Sequence, residues 1–296
     1  MQKRRIKTKI GYEITVTEFE AVISAKGIVI IAPATGVKQS YYFKFAEFLQ
    51  SKGYNTYTFD FSGIGESKNE SLKKFDTTAS NWGNNDLEAV LQFYRNKYLN
   101  NTMIVIGHSI GGQLIGLAPS SLSIDKIILI AAQGGYWKFW KGIERFKMLL
   151  NWYLLFPLLT RIYGFFPGKR FKIMEDLPRS MSLEWRKWCV SPNYLFDHID
   201  NDKLYYSKIN CALISYSISD DRFAPKEAVD WITEKYSNTQ RTRKHLNHIH
   251  FRATKIGHFG FFKEKTKNTL WRIIEDNITP KFQQKETNNY VFDKND

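Results

Sequence analysis

The pentapeptide Gly107-His108-Ser109-Ile110-Gly111 constrains this chain more than any other feature. It follows a run of strand-forming residues, Thr102–Ile106 (TMIVI), and opens a short apolar helical stretch, Ser109–Ala118. A chain that leaves a strand and enters a helix this abruptly forces the serine into a strained backbone conformation. Side chains at 107 and 111 would collide across the turn. Gly112 leaves room for the helix to pack close to the sheet. The pattern predicts that Ser109 Oγ is exposed at the carboxyl edge of a sheet.

The rest of the chain supplies such a sheet. Lys26–Ala34, Asn55–Phe61, Thr102–Ile106, Lys126–Ala131, Cys211–Tyr216 and Ile249–Thr254 read as strands. Helical patterns separate them at Ser40–Leu49 (Ser40 as N-cap, Gly53 as stop), Asn85–Tyr98, Lys226–Tyr236 and Asn268–Asn277. Alternation of this kind implies an α/β class with a mostly parallel sheet covered by helices on both faces. Ligands on such sheets sit at the carboxyl ends of the strands.

A serine hydroxyl is a weak nucleophile without a base and a group to orient that base. Both types follow in the chain. Asp220 and Asp221 come directly after the strand CALISY, and His258 comes after the predicted strand IHFRAT. Serine, aspartate and histidine are thus all expected on one sheet edge.

These features together resemble the serine-type α/β-hydrolases, over residues 10 to 277. Pro33-Ala34-Thr35-Gly36-Val37, Gly107–Gly112, Gly135-Tyr136-Trp137 and Gly257–Gly260 are similar to a little-characterised bacterial group of predicted α/β-hydrolases, esterase- or lipase-like. The resemblance implies Ser109 as nucleophile and His258 as base. It implies Asp221 rather than Asp220 as the acid, because the family's Asp stands four residues before a Pro, here Pro225. Backbone N–H groups of Ile110 and Thr35 are implied as the oxyanion hole, with Pro33-Ala34 where many relatives carry His-Gly. Asp60, Gly63, Gly65 and Ser67 match a D-x-R-G-x-G-x-S loop in which Ser62 replaces the Arg. The wider superfamily implies acyl chemistry with no metal and no cofactor.

Residues 134–202 interrupt the alternation and contain no convincing strand. This insertion is expected to form a helical cap, placed after the strand that follows the nucleophile helix. The core would then comprise residues 1–133 and 203–278, with a polar, frayed tail at 279–296. Between Tyr136 and Val190 lie fourteen aromatic residues, eleven Lys and Arg, and four Asp and Glu. The net +7 of that segment is half of the chain's +14. Such a cap suits a lid over a lipophilic acyl pocket, with Tyr136, Trp137 and Trp140 as substrate-binding candidates. Its mixture of aromatic and basic residues also suits an anionic membrane surface. The competing reading is a small helical subdomain whose aromatics form its own core and whose cations are solvated.

Composition excludes several classes. With 43% hydrophobic and 24% charged residues the chain is an ordinary globular one. Two cysteines, Cys189 and Cys211, make no disulfide framework and read as buried small hydrophobes. The basic start Met1–Ile10 is followed by no apolar core, and the longest charge-free apolar stretch, Met148–Thr160, is thirteen residues. Roughly 20 are needed to span a bilayer. A soluble, cytoplasmic protein is expected. Arg241–His250 reads as a basic surface loop rather than a metal site, and His108 as a packing residue. No motif supports nucleic-acid binding. The expected activity is hydrolysis of a carboxylic ester or thioester with a hydrophobic acyl group through an acyl-enzyme. The alternatives are an acyltransferase using the same triad and a non-catalytic membrane-surface or ligand-binding module. Nothing in the sequence marks a pocket for an amine or a peptide.

Overall fold

The computed structural model describes residues 1–22, 25–251 and 255–279. The strands are β1 (Gln2–Lys7), β2 (Glu13–Phe19), β3 (Ile28–Ala32), β4 (Asn55–Phe59), β5 (Met103–His108), β6 (Lys126–Ile130), β7 (Ala212–Ile218) and β8 (Gln240–Leu246). They form one sheet in the order β1-β2-β4-β3-β5-β6-β7-β8. Strands β3 to β8 run parallel, while β1 and β2 are antiparallel to their neighbours. The helices are α1 (Phe43–Ser51), α2 (Ala79–Asn81), α3 (Glu88–Lys97), α4 (Ile110–Gln113), α5 (Gly142–Leu150), α6 (Phe156–Tyr163), α7 (Arg179–Cys189), α8 (Lys226–Lys235) and α9 (Leu270–Ile278).

The central strands β3 and β5 are buried on both faces, which is why they read as unbroken apolar runs rather than alternating ones. Odd and even residues serve different layers. Ile28, Ile30, Val105 and Leu129 pack with α3, whereas Val29, Ile31, Ile106 and Ile130 pack with α1 and α9. Helix α8 joins the α3 side, where Thr233 Oγ1 and Ser215 Oγ of β7 hydrogen-bond at 2.8 Å.

Three expectations are corrected. Among the described residues the last strand is Gln240–Leu246, and the expected strand Ile249–Thr254 is not formed over its described part, Ile249–Phe251. Residues His248–Phe251 form a short 3-10 turn, and residues 252–254 lie outside those described. The strand falls within the segment expected to be a basic loop. Two further strands, β1 and β2, precede the first expected one. Both β1 and β8 are edge strands whose side chains are mostly exposed and charged, so they lack the apolar signal of a buried strand. Ser40 is no N-cap: it lies in a 3-10 turn, Gln39–Tyr42, that leads into α1. The Gln39 N–H is instead held by Asp60 Oδ1 at 2.7 Å, from a distant loop. Most of the polar tail, from residue 280 onward, lies outside the described residues.

Residues 134–202 connect β6 to β7 and contribute no strand to the sheet among the described residues. They carry α5, α6, α7 and one bridge between Phe166 and Leu177. Their inner aromatics, Trp152, Phe156, Phe166 and Trp188, are continuous with the core on the α3 side.

Candidate active site

Ser109 sits between β5 and α4 with φ +53° and ψ −122°, a conformation disfavoured for any residue with a side chain. The glycines around it are required by contact. A Cβ on Gly107 would lie 2.3 Å from Gly112 Cα, and one on Gly111 would lie 2.2 Å from the Ala32 carbonyl oxygen. Ser109 N–H donates to Ile130 C=O of the neighbouring strand at 3.0 Å, which anchors the turn to the sheet.

The two adjacent aspartates divide their work. Asp221 Oδ2 lies 2.8 Å from His258 Nδ1, and its Oδ1 accepts from the N–H groups of Phe223 and Ala224 at 2.8 and 3.1 Å. Asp220 turns the other way. Its two oxygens accept the N–H groups of Ile256 and Gly257, each at 2.9 Å. One carboxylate therefore orients the imidazole, and the other holds the loop that carries it. Ser109, Asp221 and His258 all lie at the carboxyl edge of the sheet as expected, but all three are buried, which corrects the expectation of an exposed Ser109. No hydrogen bond joins Ser109 Oγ to the His258 ring among the described residues. The backbone turn alone delivers the serine here, and such bonds commonly tighten only in complexes with substrate.

The N–H of Ile110 and the N–H of Thr35 have no acceptor among the described residues. Thr35 occupies a tight turn closed by Val37 N–H to Ala34 C=O at 3.2 Å, with Gly36 at φ +61°. Its Oγ1 is buried and also unpartnered among the described residues. The insertion covers this turn. Glu175 N–H donates to Gly36 C=O at 2.9 Å, and a Cβ on Gly36 would meet Met174 and Leu177 at 3.0–3.2 Å. Lys38 and Lys169 pin the Glu175 carboxylate at 3.3 and 2.9 Å.

Several residues of the site carried no usable signal in the sequence. His108 Nε2 donates to the backbone carbonyl of His258 at 2.9 Å, while its Nδ1 faces Tyr42 Oη at 2.8 Å. Tyr42 Oη in turn accepts the Ala34 N–H at 2.9 Å. Complete burial, with His258 nearby, holds the His108 pKa well below the usual histidine range. A neutral ring with one donor and one acceptor satisfies both partners. His108 thus joins the Thr35 turn to the His258 loop, a role beyond the packing expected of it. The Phe223 ring lies 5.6 Å from the His258 ring and is half exposed. Only the pairings made in three dimensions distinguish these residues from other aromatics.

Of the three insertion residues expected to bind substrate, Trp140 reaches the site's periphery, where its Nε1 donates to Arg222 C=O at 2.8 Å, beside Asp221. The Tyr136 and Trp137 rings contact each other, Phe139 and Tyr153.

Comparison with known proteins agrees with this architecture. Residues 23–218 match the hydrolase family described as Serine aminopeptidase, S33. The chain therefore belongs to that family, and with it to the serine α/β-hydrolase superfamily. Among solved structures, alpha/beta hydrolase domain-containing protein 10 from mouse is similar, with a TM-score of 0.58 at 13% identity over 94% of this chain and 98% of that one. An esterase from Exiguobacterium antarcticum gives a TM-score of 0.59 at 15% identity, covering 93% and 99%. A thermophilic esterase from Thermogutta terrifontis gives 0.58 at 13%, covering 93% and 97%. At these identities the likeness concerns the fold. No curated protein matches the chain.

Proposed function

We propose that this hydrolase cleaves carboxylic esters with a hydrophobic acyl group, using Ser109, His258 and Asp221. The observation that carries the reading is the Asp221–His258 hydrogen bond of 2.8 Å on the sheet edge where Ser109 is held at positive φ. His258 Nε2 takes the Ser109 proton as Oγ bonds to the acyl carbon. The N–H groups of Ile110 and Thr35 receive the oxyanion. Collapse breaks the bond to the alcohol, which leaves with the proton from His258. Water, deprotonated by His258, then releases the acid and regenerates Ser109. No step calls for a metal or cofactor.

Residues 134–202 act as the lid in this reading. Met174 over the Thr35–Gly36 turn and Phe223 beside His258 supply apolar surface for the acyl chain. Charge favours an ester over the peptide substrate in the family's description. An aminopeptidase needs a carboxylate free to hold the substrate's ammonium group. Here Asp220 is engaged by two backbone N–H groups, Asp221 by His258, and Glu175 by two lysines.

The test is labelling with a fluorophosphonate, followed by a chain-length series of p-nitrophenyl esters. Wild type should form an adduct on Ser109 that is absent from Ser109→Ala, and ester turnover should fall on the order of 10⁵-fold or more in that variant. A folded wild type that takes no label, or a Ser109→Ala variant that keeps its turnover, would overturn the assignment.

A further inference from the structure

The insertion presents a second surface, on the side turned away from the core. α5, a wide-turned segment at Asn151–Leu155 and α6 make one continuous helix from Gly142 to Tyr163. At 1.5 Å per residue it is roughly 30 Å long. Its inner face is ordinary: Trp152, Phe156 and Thr160 are buried, and the Trp152 and Phe156 rings meet Trp185 of α7 at 4.9 and 5.7 Å. Its outer face is not. Ile143, Phe146, Leu150, Leu154, Leu158 and Ile162 are between 39% and 64% exposed.

Tyr153 and Leu155, also exposed, widen this apolar face around its middle. Three successive steps of four residues, from Leu150 to Ile162, would drift by ~40° each on a regular α-helix. The π-type turn at Asn151–Leu155 holds more residues per turn and so offsets part of that drift. The cost of the irregular turn is met inside the protein, where Arg186 Nε donates to the Trp152 carbonyl at 2.9 Å. A local distortion of the helix thus helps to keep the apolar stripe on the solvent side.

Charge identifies the occupant. Residues 137–172 hold eight Lys and Arg against a single acid, Glu144, which is paired with Lys147 at 2.8 Å. Arg161, Arg170 and Lys172 have no carboxylate partner among the described residues. Arg170 lies over the Tyr163 ring at 5.6 Å and brings the loop with exposed Phe171 and Ile173 to the helix's end. A second copy docked through the same face would set these cations against themselves. An anionic bilayer offers hydrocarbon to the stripe and negative headgroups to its flanks. No described helix is long and apolar enough to cross a membrane, so the contact would be one of lying on the surface.

We propose that the outer face of residues 142–163, extended by Phe171 and Ile173, docks onto an anionic lipid membrane with the helix in the plane of the interface. The test is co-sedimentation with phosphatidylcholine vesicles, with and without phosphatidylserine, at low and high salt. Wild type pellets with the phosphatidylserine vesicles and is released by salt. The triple variant Phe146→Ser, Leu154→Ser, Leu158→Ser stays in the supernatant. Arg161→Gln, Arg170→Gln, Lys172→Gln together weaken binding on the order of 100-fold. Retained thermal unfolding and retained fluorophosphonate labelling show that the variants are folded. Wild type that ignores anionic vesicles overturns the proposal and leaves an acidic protein as the fitting partner. Binding that is equal on phosphatidylcholine alone overturns the role of charge. A wild-type dimer in sedimentation velocity that the Ser variant dissolves reassigns the face to a second copy.

Discussion

Asp220 and Asp221 are chemically identical neighbours, and their different partners predict different losses. Asp221 meets the His258 ring, so Asp221→Asn should lower kcat by about 10⁴-fold through the wrong imidazole tautomer while leaving the protein as stable as wild type. Asp220 holds two backbone N–H groups of the His258 loop. Asp220→Ala leaves both without an acceptor and should reduce unfolding free energy by about 1–3 kcal/mol, with a smaller loss of kcat. Denaturant unfolding measured beside ester turnover separates the two. Equal losses of both quantities in both variants would mean that the two carboxylates do not divide their roles as their hydrogen bonds indicate. Ser109 was legible because its neighbours are glycines for steric reasons that any sequence shows. His108 was not, because nothing local reveals that its two nitrogens reach Tyr42 and His258.

At the scale of elements, legibility followed unbroken apolar sequence: β2 (EITVTEF) is buried yet went unread, because Thr15, Thr17 and Glu18 interrupt its apolar residues. Strands β3, β5 and β6 are apolar because helices cover both faces, and all three were apparent from their residues alone. Strands β1 and β8 close the two edges of the sheet with QKRRIK and QRTRKHL, and both read as solvated basic segments. Positive charge on an edge strand discourages pairing with another molecule's edge. Replacing Arg241 and Lys244 of β8 by Val should therefore promote self-association that rises with concentration, visible by light scattering, in a protein whose monomer fold is unchanged. A variant as monodisperse as wild type would show that the edge is protected by something else. The insertion is intermediate. Its helical character and its excess of aromatic and basic residues were evident, but not the sorting of Trp152 and Phe156 inward and Phe146 and Leu154 outward.

For the whole molecule, two buried carboxylates tie the loops beneath the site together. Asp60 accepts from Gln39 and from the Glu66 N–H, and Asp86 from the Ser62 N–H and from Tyr12 Oη. Burial pushes each carboxyl up to about 6, against hydrogen bonds that pull it down. A carboxyl raised in the folded state binds more protons there than in the unfolded chain. Its contribution to stability is therefore complete below its unfolded value near 4 and is lost as pH rises through 6. Asp86→Asn should abolish its share, so wild type should gain roughly 1–3 kcal/mol on the variant between pH 7 and pH 4.5. Parallel stability profiles for the two proteins over that range would contradict the assignment.

Amino-acid order by itself determined the alternation of strands and helices, the strained turn at Ser109 and the order of serine, aspartate and histidine along the chain. Those are local matters: periodicity, the steric size of glycine, and the distance between a strand's end and the next polar residue. Tertiary structure alone decided that Asp220 holds the His258 loop, that His108 bridges the Thr35 turn and the His258 loop, that the charged edges are strands, and which side of the long helix stays bare. Each of those depends on what lies across the sheet or on the far side of a helix. Such contacts join residues up to 150 positions apart, as between His108 and His258, and no local pattern encodes them.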